Sequence, residues 1–217
     1  MLLSKAEADA IEARSAQLEA RIGTQVVTAI VDKADAHAEL PWKAFALGAV
    51  LSALAMVIAD ALRPQWLTAN AALAGAVTIL GAGGASALLA AFVPAYARFF
   101  LLSTRRHSEV RRCAEALFLR HELFQTQQRN GVLILVSCFE RKVEIIADTG
   151  LKSIVSEAEW RSVIARMTPL LRERRFAEAL LEGLGGTQQL LAGKGLKANS
   201  GADNELADRP IDDSGKA

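Results

Sequence analysis

Residues 131–148, GVLILVSCFERKVEIIAD, contain two apolar runs on either side of a short turn. The runs GVLILVS (131–137) and KVEIIAD (142–148) are rich in apolar and β-branched residues, which favour strands. The connecting CFER (138–141) has the length of a hairpin loop. This stretch therefore predicts two antiparallel strands.

A third apolar run, TQVVTAIV (24–31), lies far upstream and predicts a further buried strand. Because a single strand is not stable alone, it must pair with the later hairpin in one sheet. The simplest crossover makes 24–31 parallel to 131–137 and places one long helix, predicted over 98–128, on a face of the sheet. The predicted fold class is therefore α/β, a small sheet with helices packed on it.

Capping signals predict where several helices begin and end. Ser4 and Glu7 form a capping box, and Gly23 is the predicted residue that ends the first helix. Ser156 and Glu159 form a second capping box, which opens a helix through about residue 167.

The end of the chain is predicted to contain two further helices and a tail. A helix restarts at Thr168-Pro169, with Thr as the cap and Pro in the first position, and the last helix covers 176 to about 191. From residue 193 the composition turns to Gly, Asn, Asp, Ser and Lys, which predicts a disordered tail over 193–217.

Two long apolar stretches interrupt this domain. Residues 44–62 carry one charge, Asp60 in the last turn, and span roughly 28 Å as a helix, close to the thickness of a hydrocarbon core. Residues 69–97 carry no charge and are rich in Gly and Ala, which let helices approach closely in lipid. Pro64 breaks the helix between them. We expect a transmembrane helical hairpin over 42–97.

Aromatic and basic residues flank the two spans. Trp42 and Trp66 are predicted at the membrane interfaces. Arg105 and Arg106 follow the second span and either bind anionic lipid headgroups or only set the topology. Basic residues of the flanking segments outnumber those of the connecting loop, which predicts a multi-pass protein of the cell (inner) membrane with both termini cytoplasmic. The flanking residues are Lys33, Lys43, Arg98, Arg105, Arg106, Arg111 and Arg112, and the loop residue is Arg63.

Composition narrows the class of protein. A soluble helical hairpin is the alternative to the spans, but the rest of the chain is too short to cover two helices that are apolar all round. The net charge of +1 creates no field that attracts nucleic acid. Two cysteines, Cys113 and Cys138, suit a reducing compartment, and residues 1–22 show no secretory signal. The predicted partners are the lipid bilayer and proteins at the cytoplasmic face.

One candidate site follows from the predicted pairing. The start of one hairpin strand lies beside the end of the other, so Asn130 should lie near Asp148, with Gly23 at the same edge. Carboxylate and amide oxygens are ligands that Ca²⁺ and Mg²⁺ prefer, which makes Asn130 and Asp148 candidate metal ligands. The alternative is that Asn130-Gly131 is only a turn and Asp148 only a strand-end cap. No zinc spacing, phosphate-binding loop or nucleophile motif occurs, so the sequence assigns no catalytic residue.

Three stretches resemble the TPM domain family, which occurs in bacterial membrane proteins and in plastid proteins linked to photosystem repair. They are LLSKAEADAIEARSAQLEARIGTQVVTAIV (2–31), RNGVLILVSCFERKVEIIADTGL (129–151) and WRSVIARMTPLLRERRFAEALLEGL (160–184). The second is the most specific, with its Asn-Gly, apolar strand, Arg in the turn, second strand and Gly-Leu pair. The chain is most similar to a membrane-embedded branch in which the hairpin sits inside the TPM domain.

This resemblance implies an architecture and a chemistry. It implies a TPM-like sheet-and-helix sandwich made of residues 1–41 and 98–192, divalent metal binding, and the acid-phosphatase activity attributed to some relatives. The sequence departs from the family at Arg129, where many relatives have Asp, and in having no export signal. The first departure removes a carboxylate from the candidate metal site.

Three functions remain open from the sequence. The first is a membrane-anchored TPM-like module that docks protein partners, which the absence of a catalytic motif favours. The second is a weak metal-dependent acid phosphatase, which the resemblance favours. The third is a lipid-interacting or self-associating hairpin in which the Gly-rich second span does the work, so that a bulky residue at Gly83 would disrupt self-association.

Overall fold

A computed structural model describes residues 2–35, 37–62, 69–101, 103–197, 206 and 208–213. The chain forms two compact units, one of Met1–Asp35 with Arg106–Ala217 and one of Ala36–Arg105. Eight helices lie in the described residues: α1 Lys5–Ile22, α2 Leu40–Leu62, α3 Ala69–Phe92, α4 Pro94–Phe99, α5 Ser103–Arg120, α6 Thr149–Lys152, α7 Glu157–Arg172 and α8 Phe176–Gly193.

The first unit contains a four-stranded sheet in the order β3-β2-β1-β4. Its strands are β1 Val26–Val31, β2 Val132–Ser137, β3 Lys142–Ala147 and β4 Ile211–Asp213. β1 runs parallel to β2, with Val26 opposite Val132, and β2 runs antiparallel to β3 across the CFER turn. The predicted strand pair and the predicted parallel crossover are both confirmed.

Both faces of the sheet are covered by apolar side chains. Val26 and Ile30 of β1 point into one core with residues of α1, α7 and α8. Val27 and Ala29 point into a second core with Val110 and its neighbours in α5. This two-sided burial explains why β1 and β2 are continuous apolar runs rather than alternating ones.

The second unit contains a pair of apolar helices, α2 and α3, followed by the short helix α4. α2 and residues 72–92 of α3 are each long and apolar enough to cross a membrane. The helices approach closely at Gly48, where an added Cβ would lie 2.8 Å from the carbonyl oxygen of Ala82. The Ser86 hydroxyl donates a hydrogen bond of 2.7 Å to the carbonyl of Ala44 and lies 2.8 Å from the hydroxyl of Tyr96.

The prediction of one helix over 98–128 is wrong. α4 ends at Phe99, and α5 ends at Arg120. Glu122 has a φ of 53°, and the N–H of Leu123 donates to the carbonyl of Phe118, as in a Schellman cap. This turn places Leu123 fully inside the core that α5 forms with the sheet. The residue in the left-handed conformation is a glutamate, so the usual glycine signal is missing from the sequence.

The predicted break at Thr168-Pro169 is also wrong, because α7 continues through Pro169 to Arg172. Proline removes one backbone donor from a helix. Here the burial of Met167 and Leu171 on the same face favours the continuing helix. α7 ends at Arg172, and the turn that follows it contains a left-handed residue, Arg174, with a φ of 62°.

The predicted disordered tail is wrong for Ile211–Asp213, which form β4 beside β1. The register places Ile211 opposite Ala29. Composition alone missed this strand because its pairing partner lies almost the whole chain length away, and three residues make no recognisable pattern.

Candidate functional site

The structure brings the two predicted site residues to the same edge of the sheet. Asn130 and Gly23 precede the parallel strands β2 and β1, and Asp148 follows β3. The Asn130 side-chain amide donates to the carbonyl of Gly23 at 2.7 Å. The backbone N–H of Asp148 donates to the carbonyl of Gly131 at 2.9 Å. Asn130, Asp148 and Gly23 therefore lie at the same edge of the sheet, as the sequence predicted.

The Asp148 carboxylate is held by an arginine. Nε of Arg129 donates to Oδ2 at 2.7 Å, and Nη2 donates to Oδ1 at 3.1 Å. Oδ1 also accepts from the backbone N–H of Thr149 at 2.6 Å, so that Asp148 caps α6. The side chain of Asp148 is only 4% exposed, whereas that of Arg129 is 51% exposed. A buried carboxylate is thus paired with a half-exposed guanidinium.

The electrostatics of this pair favour the charged form of both groups. Burial raises the pKa of Asp148, but the hydrogen bonds from Arg129 and Thr149 outweigh it and leave the pKa of Asp148 below its ordinary value. Hydrogen bonding to Asp148 raises the pKa of Arg129. Asp148 is therefore an ionised acceptor, and these shifts do not make it a general acid.

Local backbone geometry aims Arg129 at Asp148. Arg129 has a φ of 51°, in the left-handed region, and its N–H donates to the carbonyl of Thr126 at 3.0 Å. The Thr126 hydroxyl accepts from the N–H of Asn130 at 3.0 Å. The guanidinium carbon lies 5.9 Å from the ring centroid of Phe124. The turn that follows α5 thus sets the direction of the arginine.

Two glycines allow the backbones to pack at this edge. A Cβ at Gly131 would lie 2.2 Å from the carbonyl oxygen of Leu123. A Cβ at Gly150 would lie 2.5 Å from the carbonyl oxygen of Gln128, and the N–H of Gly150 donates to the carbonyl of Arg129 at 2.9 Å. The Asn-Gly and Gly-Leu pairs of the sequence are therefore explained by close backbone contact.

The donor set at this edge does not fit a hard divalent cation. Such ions take six or more oxygen ligands, several of them carboxylates. Both oxygens of Asp148 accept from Arg129, and the carbonyl of Gly23 accepts from Asn130. Within the described part of the chain, no group of three or more His, Cys, Asp or Glu side chains could hold a metal ion. The arginine supplies the positive charge that this carboxylate requires.

A buried carboxylate that the sequence reasoning missed lies on α1. Glu19 is 8% exposed, and its carboxylate accepts from the N–H of Val26 at 2.9 Å. Burial raises the pKa of Glu19 to about 8, and a hydrogen-bonded neighbour, Asp208, adds to the rise. Ser15 and Glu19 follow Ile11 at helical spacing on the apolar face of α1. Polar residues at core positions were the signal that could have identified this group.

Only part of the predicted membrane interface can be located. Trp42 is 74% exposed and stacks edge-on against Phe45 with a centroid distance of 6.3 Å. Trp66 lies outside the described residues, as do the side chains of Arg105 and Arg106. Gly83, which the sequence placed at a self-association surface, faces Phe45 within the same hairpin.

Comparison with known proteins finds a match to one domain family from residue 97 onward. The family model of the TPM domain matches residues 97–190. The NMR structure of the BA42 protein from the psychrophilic bacterium Bizionia argentinensis is similar, with a TM-score of 0.57 and 13% sequence identity. The match covers 97% of this chain and 94% of BA42. No curated protein matches the sequence. At this identity the structural likeness shows the fold alone.

Proposed function

We propose that the chain is an integral membrane protein. In this proposal, the region that matches the TPM domain, residues 97–190, docks protein partners. The role is that of an interaction or membrane-protein maintenance module at the cytoplasmic face. The helical hairpin anchors it in the cell (inner) membrane, and the excess of basic residues beside the spans favours cytoplasmic termini.

The exposure of the two apolar helices carries the anchoring part of the proposal. None of the apolar window of α2 is buried, and 11% of the window of α3 is buried. A core helix of a soluble protein would be covered by its neighbours. Large exposed apolar patches are costly in water but match lipid tails. The exposed side chains include Val50, Leu54, Val57, Leu73, Val77 and Leu80.

The chemistry of the sheet edge supports docking rather than catalysis. Asp148 is ionised and engaged by Arg129, so it offers neither a proton nor an open pair of oxygens to a substrate. The guanidinium of Arg129 is half-exposed and adjoins the ring of Phe124. Arginine and aromatic side chains at a surface are frequent contributors to protein binding.

A weak divalent-metal-dependent acid phosphatase is the alternative, supported by the resemblance to relatives with that activity. Phosphate release by the purified full chain with Mg²⁺ or Ca²⁺ tests it, with Asp148→Ala as the matched variant. Release that depends on the metal and is lost in Asp148→Ala would favour the phosphatase. Absence of release, or equal release by both proteins, would favour the docking module.

Alkaline extraction of membranes tests the anchor directly. The full chain is expected to remain in the membrane pellet after a carbonate wash. Leu51→Arg is the control, because a charge at the middle of the apolar helix α2 is costly in lipid and should reduce insertion. A wild-type chain that appears in the supernatant would contradict the proposal.

Two further measurements separate the topology from the docking role. Protease added outside spheroplasts should leave a C-terminal tag intact, and cleavage of the tag before lysis would contradict the orientation.

Photo-cross-linking from a probe at position 129 in living cells should yield a defined membrane-protein adduct. A probe at the exposed Leu119 is the matched control. Equal adducts from both positions, or none from either, would count against docking at this edge.

A further inference from the structure

The free edge of β1 is covered by a very short strand from the end of the chain. β4 has three residues and pairs in parallel with Ala29–Val31. Strands in globular proteins are usually longer, with about five or six residues. Ile211 packs only partly against the core on the α5 side, and Asp213 is exposed. Among the described residues, β4 therefore pairs with three of the six residues of β1.

Polar contacts position the described residues of this segment. The Asp212 carboxylate accepts from the N–H of Leu2 at 2.8 Å and of Leu3 at 3.2 Å. The N–H of Leu206 donates to the side-chain oxygen of Gln25 at 3.1 Å. The sheet and the start of the chain thus recognise this extended segment through the backbone N–H of Leu206 and the carboxylate of Asp212.

One feature of the segment opposes its binding. Oδ1 of Asp212 is buried without a hydrogen-bond partner among the described residues, and such an atom loses its hydration without compensation. Release of the segment would hydrate this atom. Asp208, by contrast, is hydrogen-bonded to the carboxyl of Glu19. The segment is thus placed by specific contacts, but one of its buried polar atoms is unsatisfied.

We propose that the edge of β1 is a docking site for an extended peptide, which the chain's own β4 occupies in the resting protein. This inference rests on the proposed docking function and adds a second surface to the one that contains Arg129. The partner segment runs parallel to β1 and adds a strand through main-chain hydrogen bonds. The partner segment carries an apolar residue at the position of Ile211. An acidic residue follows it, and its carboxylate accepts hydrogen bonds from the N–H groups of Leu2 and Leu3.

The test measures binding in trans of a fluorescent peptide with the sequence of residues 206–213, LADRPIDD. The receptor is the full chain in detergent, as wild type and as Ile211→Lys, which detaches the internal strand. An attached strand competes at a high effective concentration. We therefore expect the peptide to bind Ile211→Lys at least about tenfold more tightly than wild type. A peptide with the same I211K change is expected not to bind.

A second variant protects the test against a folding defect. Asp212→Ala removes only the carboxylate and should also admit the peptide. Equal affinity for wild type and variants, or no affinity for variants that keep a native melting transition, would overturn the inference. Carbonate extraction and cross-linking from position 129 do not involve β4. If they succeed while the peptide fails, the β1 edge is not a docking surface, but the proposed function stands.

Discussion

The guanidinium of Arg129 binds both carboxylate oxygens of Asp148, through contacts of 2.7 and 3.1 Å. The pair joins the turn after α5 to the end of β3, and Asp148 also caps α6. One carboxylate thus connects three parts of the domain. The arginine supplies a fixed positive charge beside this buried carboxylate.

Replacing Asp148 should separate its two roles. Asp148→Ala loses the ion pair and the cap of α6, and loss of a cap alone costs about 1 kcal/mol. Asp148→Asn keeps a capping oxygen and should be destabilised less. Thermal melting of the full chain measures both, with a shift of roughly 2–4 °C expected for each kcal/mol. Equal melting temperatures for the two variants would contradict a capping role.

The same residue should contribute to acid sensitivity. The pKa of Asp148 in the folded chain lies below its ordinary value of 3.8. Its stabilising contribution is therefore present above that value and is lost as the pH falls through the folded-state pKa. Urea unfolding at a series of acidic pH values should show a steeper loss of stability for wild type than for Asp148→Asn. Parallel curves would show that the pair contributes nothing.

Divalent cations should leave the melting temperature of the wild-type chain unchanged. A ligand that binds only the folded state raises the melting temperature, and the oxygens of Asp148 are already bound by Arg129. Titration with Ca²⁺ and with Mg²⁺ in detergent is the measurement. A rise that disappears in Asp148→Ala would establish a metal site at this edge and would support the phosphatase alternative.

The glycines of the sheet edge should not tolerate a methyl group. Gly131→Ala would place Cβ 2.2 Å from the carbonyl oxygen of Leu123, and Gly150→Ala would crowd the carbonyls of Gln128 and Arg129. Both variants should lower the melting temperature. Gly193→Ala is the control, since a Cβ there meets nothing within 4 Å and alanine favours the helix. Similar effects at all three positions would contradict this packing.

Stability should fall as the pH rises through the neutral range because of Glu19. Burial raises the pKa of Glu19 from 4.5 to about 8. A carboxyl whose pKa is raised in the folded state contributes fully below its unfolded-state value, and the contribution is lost as the pH approaches about 8. The melting temperature should drop by several degrees over that interval. Glu19→Gln keeps an acceptor for Val26 and should flatten the profile, whereas an unchanged slope would exclude Glu19 as its source.

The close approach of α2 and α3 should be sensitive at Gly48. Gly48→Leu would collide with Ala82 and Ser86 of the facing helix and should lower the melting temperature in detergent. Gly81→Leu is the matched control, because no atom lies within 4 Å of its added Cβ. Gly83→Leu would meet the ring of Phe45, so it probes packing inside the hairpin rather than self-association. Equal loss at Gly48 and Gly81 would contradict this arrangement.

Local patterns in the sequence determined much of the architecture. Short-range signals predicted the β2–β3 hairpin with its CFER turn, the capping boxes at Ser4 and Ser156, and the glycine that ends α1. The parallel pairing of β1 followed because a lone apolar strand needs a partner. These inferences succeeded because a turn, a cap or an apolar run depends on residues within a few positions of one another.

Tertiary structure decided the features that depend on distant residues. α5 and α7 end at Arg120 and Arg172. The turns that follow them place Glu122 and Arg174 in the left-handed conformation, which these residue types do not signal in the sequence. α7 continues through Pro169 because its apolar face is buried. Asn130 and Asp148 could be placed together from the pairing rules, but the engagement of Asp148 by Arg129 could not, because the direction of an arginine depends on the turn that carries it. Likewise β4 forms only against β1, since three residues acquire strand structure from the edge that they meet.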